Sequence, residues 1–200
     1  QLTSSDWKVA EYVGPIANQD LHADHGIDMV IVMPEGQKWL SEAQRLKAFH
    51  EEHDALRVKI VAQNEIWNEF SSGTPDATAL RRYMKMLYDR ASTEAEMPKY
   101  LLLFGDGAFD NRMKTSMWKN ADPKNFILCF ESENSVSHVE SFVTDDYYAL
   151  LDDNEALKTG TQYTGLPDVA VGRLSARSAT EAKILVDKIL HYVNDSETGT

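Results

Sequence analysis

Cysteine is nearly absent: the 200 residues hold one, Cys129, so no internal disulfide can form. A single missing pair does not separate cytoplasm from cell envelope. Positive charge is scarce too. Twenty Lys and Arg stand against 32 Asp and Glu, a net charge of −12. The resulting field repels phosphodiesters and anionic lipid headgroups alike, which argues against nucleic acid and membrane surfaces as partners. No apolar run reaches the roughly 20 residues that a membrane span needs. The start at Gln1 shows neither an initiator methionine nor a charged-then-apolar leader, so the chain reads as a processed or excised piece. Also missing are the Gly-x-Ser-x-Gly elbow of a serine hydrolase, the glycine spacing of a dinucleotide site and a Gly-Lys-Ser/Thr phosphate loop.

With 42% hydrophobic residues the chain can bury one substantial core. Five apolar runs, "DMVIVM", "VKIVA", "YLLLF", "FILCF" and "VAVG", are continuous rather than alternating, as in strands covered on both faces. Helical patterns lie between them. Trp39, Ala43 and Leu46 mark a helix from about Gln37 to Asp54. Thr74 as cap, Pro75 at the first turn and Asp76 near the positive dipole end open a second, whose stripe is Leu80, Tyr83, Met84, Leu87, Tyr88 and Ala91. Ser178 and Glu181 have capping-box spacing and open a third, with Ala182, Leu185, Val186, Ile189, Leu190 and Val193 inward. This alternation predicts a Rossmann-like, three-layer α/β/α fold around a mostly parallel sheet. Long irregular segments follow strands at about 105–125, 132–141 and 152–166, and loops of that length in a compact domain usually carry function or contact a neighbour.

Candidate chemistry concentrates in two acidic segments. In "FGDGAFD", Gly105 and Gly107 allow a turn where a side chain would clash, freeing Asp106 and Asp110 to point into a crevice at a strand end. These carboxylates can hold a hard cation, act as an acid and base pair, or accept backbone hydrogen bonds within the turn, the last being the commonest use of such residues. "TDDYYALLDDNE" gathers Asp145, Asp146, Asp152, Asp153 and Glu155, either a calcium site or a solvated acidic edge. It departs from the EF-hand pattern, and Tyr147, Tyr148, Leu150 and Leu151 suggest a short, partly buried strand there. The pairs His22/His25 and His50/His53 have the i, i+3 spacing of some zinc sites but lack further ligands, which favours interfacial or solvated histidines. Cys129 sits among large apolar groups that disfavour a thiolate, so it reads as a core thiol, with His138 the one candidate base nearby in sequence.

The segments "IWNEFSSGTPDATALRRYMKMLYDRA", "PKYLLLFGDGAFDNR", "TDDYYALLDDNE" and "GLPDVAVGRLSARSATEAKILVDKILHYVND" together resemble the first half of the gingipain-type cysteine peptidase domain, in unchanged order from about Asp28 to Asp195. Within that family the sequence is most similar to the branch acting as sortase or signal peptidase of the type IX secretion system. The resemblance implies residues 1–27 as a lead-in, 28–195 as a Rossmann-like first subdomain and 196–200 as the start of a linker. It further implies a downstream catalytic subdomain of the same polypeptide, carrying a His-Gly motif and a nucleophilic cysteine. His25 precedes Gly26, but near the wrong end of the chain, and there is no second cysteine, so no catalytic residue carries over to any position here. The family's calcium binding strengthens the expectation for the acidic loops without assigning ligands; the candidate Ca2+ ligands read from the residues are Asp106, Asp110, Asp145 and Asp146, with no other cofactor implied. Implied partners are protein substrates and secretion components, with no membrane insertion in this segment. The implied location is the bacterial cell envelope or surface, as a secreted protein. The alternative is a stand-alone α/β module that binds a divalent cation or another protein.

Overall fold

In a computed structural model, residues 18–132, 141–155 and 165–194 are described, with the isolated positions 9, 12, 14, 15, 137 and 139. Four strands form one parallel sheet in the order β2-β1-β3-β6. They are β1 (Met29–Met33), β2 (Val58–Ala62), β3 (Tyr100–Phe104) and β6 (Ala170–Leu174). The register runs Met29 to Val58, Met29 to Tyr100 and Tyr100 to Ala170. β1 is buried along its whole length because it lies inside the sheet with helices on both faces, which is why its sequence does not alternate. The Rossmann-like three-layer fold expected from the sequence is the one observed.

Four helices build the outer layers: α1 (Leu40–His53), α2 (Gln63–Phe70), α3 (Ala77–Asp89) and α4 (Ala179–Asn194). α1 and α4 cover one face with Trp39, Ala43, Leu46, Ala182 and Val186. α2 and α3 cover the other with Ile66, Leu80, Tyr83, Met84 and Leu87. The expected Thr74 cap is corrected: Asp76 is the N-cap of α3, and its carboxylate accepts from the Thr78 amide at 2.8 Å. An aspartate does this well, since its charge also meets the positive helix end. α2 was not foreseen; it starts directly at the end of β2, where the Glu65 carboxylate accepts from the Ala62 amide at 2.8 Å. At α4 the Ser178 hydroxyl accepts from the Glu181 amide as its spacing predicts, while the Glu181 carboxylate reaches the Arg177 amide. Residues 18–27, read as a lead-in, pack onto this body, with Leu21 and Ile27 in the core and the Leu21 amide held by Glu69 at 2.9 Å.

Two strand expectations are corrected. "FILCF" is not a strand of the parallel sheet, because side-chain amides take the place of strand neighbours. Gln63 donates to the Phe126 carbonyl at 2.6 Å and accepts from the Leu128 amide at 3.2 Å. Asn111 donates to the Cys129 carbonyl at 2.9 Å and accepts from its amide at 3.2 Å. Only Phe130 joins a ladder, where β4 (Phe130–Glu131) pairs antiparallel with β5 (Val143–Thr144). The expected strand around Tyr147 and Tyr148 is a 3-10 turn over Asp146–Ala149 instead. Tyr148 is fully buried there and its hydroxyl donates to the Leu128 carbonyl at 2.7 Å. Apolar composition alone did not separate these wraps from strands, since burial on all sides produces the same sequence pattern.

Candidate functional site

Open α/β sheets bind ligands at the carboxyl ends of their strands, where the strand order reverses. In this order the reversal falls between β1 and β3, and protein fills the place. The Trp39 indole, fully buried, donates to the Phe104 carbonyl at 2.8 Å. A Cβ on Gly105 would come within 2.7 Å of Pro34 and 3.1 Å of Ile127. The opening lies one strand further on, at the ends of β3 and β6. There a crevice of about 300 Å³ is lined by Asp106, Gly107, Cys129, Asp145 and Arg173, with Phe109 and Val143 at its mouth.

The floor of this crevice is an ion pair between two distant segments. Arg173, on β6, donates through Nε at 2.8 Å and Nη2 at 2.7 Å to the two oxygens of Asp145. Its Nη1 donates to the Gly105 carbonyl at 3.0 Å, which ties the end of β6 to the end of β3. The arginine side chain is 12% exposed and the aspartate 24%. Burial opposes the guanidinium charge, but the hydrogen bonds and field of Asp145 more than offset it, and the pKa of Arg173 is raised. A second pair stands at the rim, where Arg177 Nε donates to Asp106. The Asp106 backbone is also fixed, its amide donating to the Ala176 carbonyl at 3.1 Å and its carbonyl accepting from the Ile127 amide at 2.9 Å.

Cys129 is buried in the wall, and its thiol points at the Ile127 carbonyl, 4.0 Å away. A Cβ on Gly107 would stand 2.3 Å from its sulfur, so glycine is required at 107 by close approach. Burial pushes the thiol pKa up, ahead of the opposing effect of Arg173. This microenvironment keeps the sulfur protonated near neutral pH.

Of the four carboxylates singled out from sequence, the structure brings Asp106 and Asp145 to one crevice. Asp110 and Asp146 do not line it. Asp110 accepts from the Thr115 amide at 2.6 Å and organises the following turn. Asp146 opens the 3-10 turn, its amide donating to the Thr144 hydroxyl at 3.1 Å. Calcium takes six to eight oxygen ligands. As placed, Asp106 and Asp145 face guanidinium groups, and among the described residues no three His, Cys, Asp or Glu side chains gather to hold a metal ion. The carboxylates in this arrangement therefore do not fit a calcium site. The histidines are engaged locally: His22 with Glu69 at 2.7 Å, His25 with the Ala23 carbonyl, and His50 and His53 both with Asp54. His138 lies outside the described residues. Sequence reasoning missed Arg173 and Arg177. The signal was available at Arg173, because an arginine inside the apolar run "VAVGRL" needs a carboxylate partner if it is to be buried.

Residues 22–200 match Peptidase family C25. The chain belongs to that family. A crystal structure of dimeric latent PorU from Porphyromonas gingivalis superposes on this member of family C25 with a TM-score of 0.82 and 41% identity, over 98% of this chain and 18% of the PorU chain. A second solved structure, described as a protease, superposes with a TM-score of 0.52 and 16% identity over 86% of this chain and 29% of its own, a likeness of fold alone. No curated protein matches. The C25 chain thus spans less than a fifth of the PorU polypeptide it resembles. Among the described residues no helix is long and apolar enough to cross a membrane.

Proposed function

We propose that this C25 chain is the non-catalytic N-terminal subdomain of a secretion-associated cysteine peptidase of the sortase or signal-peptidase type. It supplies a rigid sheet against which the catalytic half packs, and its strand-end loops help to shape substrate access. In the intact enzyme a cysteine thiolate would attack a peptide carbonyl, with the nucleophile and its histidine base contributed by the other half. The location consistent with this reading is the bacterial cell envelope or surface.

The observation that carries the reading is the state of Cys129, the sole cysteine of the chain. A nucleophilic thiol must be reachable, ionised and next to a base. Cys129 is buried, pressed against Gly107, and its pKa is raised by burial. The charged groups near it are already engaged, Asp145 with Arg173 and Asp106 with Arg177, so the crevice presents a self-satisfied floor. Such a site shapes a surface and leaves the chemistry to another part of the polypeptide.

The reading is tested by alkylation of the native chain with iodoacetamide across pH 6 to 10. Slow labelling that accelerates only above the ordinary thiol range supports a structural Cys129. Rapid labelling at neutral pH, independent of pH above it, would mean an activated thiolate and would overturn the reading.

A further inference from the structure

Helix α4 has one broad apolar face, and one flank of it lies open. Ala182 and Val186 are sealed against the sheet, as befits a helix covering parallel strands. On one flank of that same face Leu185 and Ile189 pack only partly against the core, and the exposed Tyr192 continues their row at i, i+4 and i+7. With Leu174 these residues line an open groove of about 1020 Å³, and Tyr192 is 84% exposed. Lys188 stands at its edge.

Beside the groove lies the uncovered side of an edge strand. β6 pairs with β3 on one side and, among the described residues, with no strand on the other. Side chains alternate along a strand, so Ala170, Gly172 and Leu174 share one side, and Leu174 packs in the cluster that holds α1 and α4. Ala170 and Gly172 are exposed, and nothing lies within 4 Å of the point where Gly172 would carry a Cβ. Small floor residues let a backbone approach closely. An apolar wall beside a small-residue floor is a slot for a helix, which packs on its neighbours at about 8–10 Å.

Topology argues against filling this place with the next strand in sequence. α1 carries the chain from β1 to β2 on the same side of the sheet that α4 occupies. Parallel crossovers are right-handed, so a connection through α4 would run back toward β2 and not outward past β6. A strand added at the β6 edge would in any case leave the Tyr192 stripe bare, whereas a helix laid in the groove covers stripe and floor together.

We infer that the groove between α4 and the uncovered side of β6 receives an amphipathic helix from the remainder of the peptidase polypeptide, its apolar stripe on Leu185, Ile189 and Tyr192 and an acidic flank near Lys188. This rests on the scaffold reading above. The source is argued from length: the matching PorU chain has 82% of its residues outside the region this chain covers (100 − 18).

The test is thiol labelling, read peptide by peptide by mass spectrometry, at two introduced cysteines, Tyr192→Cys in the groove and Phe109→Cys at the mouth of the crevice, with buried Cys129 as the only other thiol of the 200-residue chain. Each is measured in this chain and in a chimaera where the chain replaces its matching segment of Porphyromonas gingivalis PorU. The inference predicts labelling at 192 slowed about tenfold or more in the chimaera, as expected of a site that must open locally before it reacts. Adding Gly172→Leu, which fills the floor, should restore fast labelling at 192. Protection at 109 with none at 192 would overturn the inference and leave the scaffold reading standing; protection at neither would overturn both. A control on the chain alone stands whether or not the chimaera folds. Gly172→Leu should leave its melting temperature unchanged, and a clear fall would show that the slot belongs to the chain's own packing and would overturn the inference.

Discussion

Arg173 and Asp145 meet in a two-pronged ion pair across 28 positions of sequence, with nitrogen to oxygen distances of 2.7 and 2.8 Å. The pair joins the end of β6 to the start of the 3-10 turn that buries Tyr148. Removing one partner leaves a largely buried charge without its counterion, which is costlier than losing both. Asp145→Asn is expected to destabilise the chain by about 2 kcal/mol, at the low end for such pairs because the aspartate is partly exposed. Arg173→Met combined with Asp145→Leu should recover most of that loss. Urea unfolding midpoints of the single and double variants check both statements.

The side-chain amide of Gln63 serves two backbone groups of the "FILCF" segment, and Gln63 is itself buried. Gln63→Ala should leave the Phe126 carbonyl and the Leu128 amide unsatisfied, at about 1–3 kcal/mol in total. Hydrogen exchange should show the Leu128 amide exchanging faster while amides of β1 keep their protection relative to the global stability.

Gly107 and Cys129 are coupled by contact. Gly107→Ala places a methyl group 2.3 Å from the Cys129 sulfur, an overpacking expected to cost about 1–3 kcal/mol. Trimming the sulfur in the Gly107→Ala, Cys129→Ala double variant should recover part of the loss. A thermodynamic cycle of melting curves measures the coupling, and strict additivity would mean that the two residues do not touch.

Acid sensitivity has a defined source. Hydrogen bonds from Arg57 hold the Asp28 carboxyl far below the usual range, burial opposes this, and Lys99 adds to it. Burial would raise the pKa of Glu69, but bonds from Gln19, the Leu21 amide and His22 outweigh it and bring the value to about 2. Both folded pKa values lie below the unfolded ones, so the unfolded state binds more protons as pH falls. Their stabilisation is complete above about pH 5, the upper edge of ordinary carboxyl titration, and is lost as pH falls toward the folded values. Melting temperature should drop steeply from pH 5 to pH 2, and Asp28→Asn and Glu69→Gln should each flatten the slope.

Much of this was legible in sequence. The runs "DMVIVM", "VKIVA" and "YLLLF" became three neighbouring parallel strands, and the stripes from Leu80 and Ala182 became buried helix faces. "FILCF" misled because Gln63 and Asn111 can act as strand partners, and no local pattern reveals that a distant amide will do so. The site was half visible. Asp106 and Asp145 were picked out by their loops, while the arginines that engage them lie 71 and 28 positions away, and that pairing exists only once β6 docks beside β3. The burial of Cys129 followed from its neighbours alone.

The central claim, that this chain carries structure and not the peptidase nucleophile, is tested most directly by assaying the purified 200-residue chain against a peptide substrate library, alongside Cys129→Ala. The account predicts no thiol-dependent hydrolysis by either. Peptide turnover by the native chain that disappears in Cys129→Ala would contradict it.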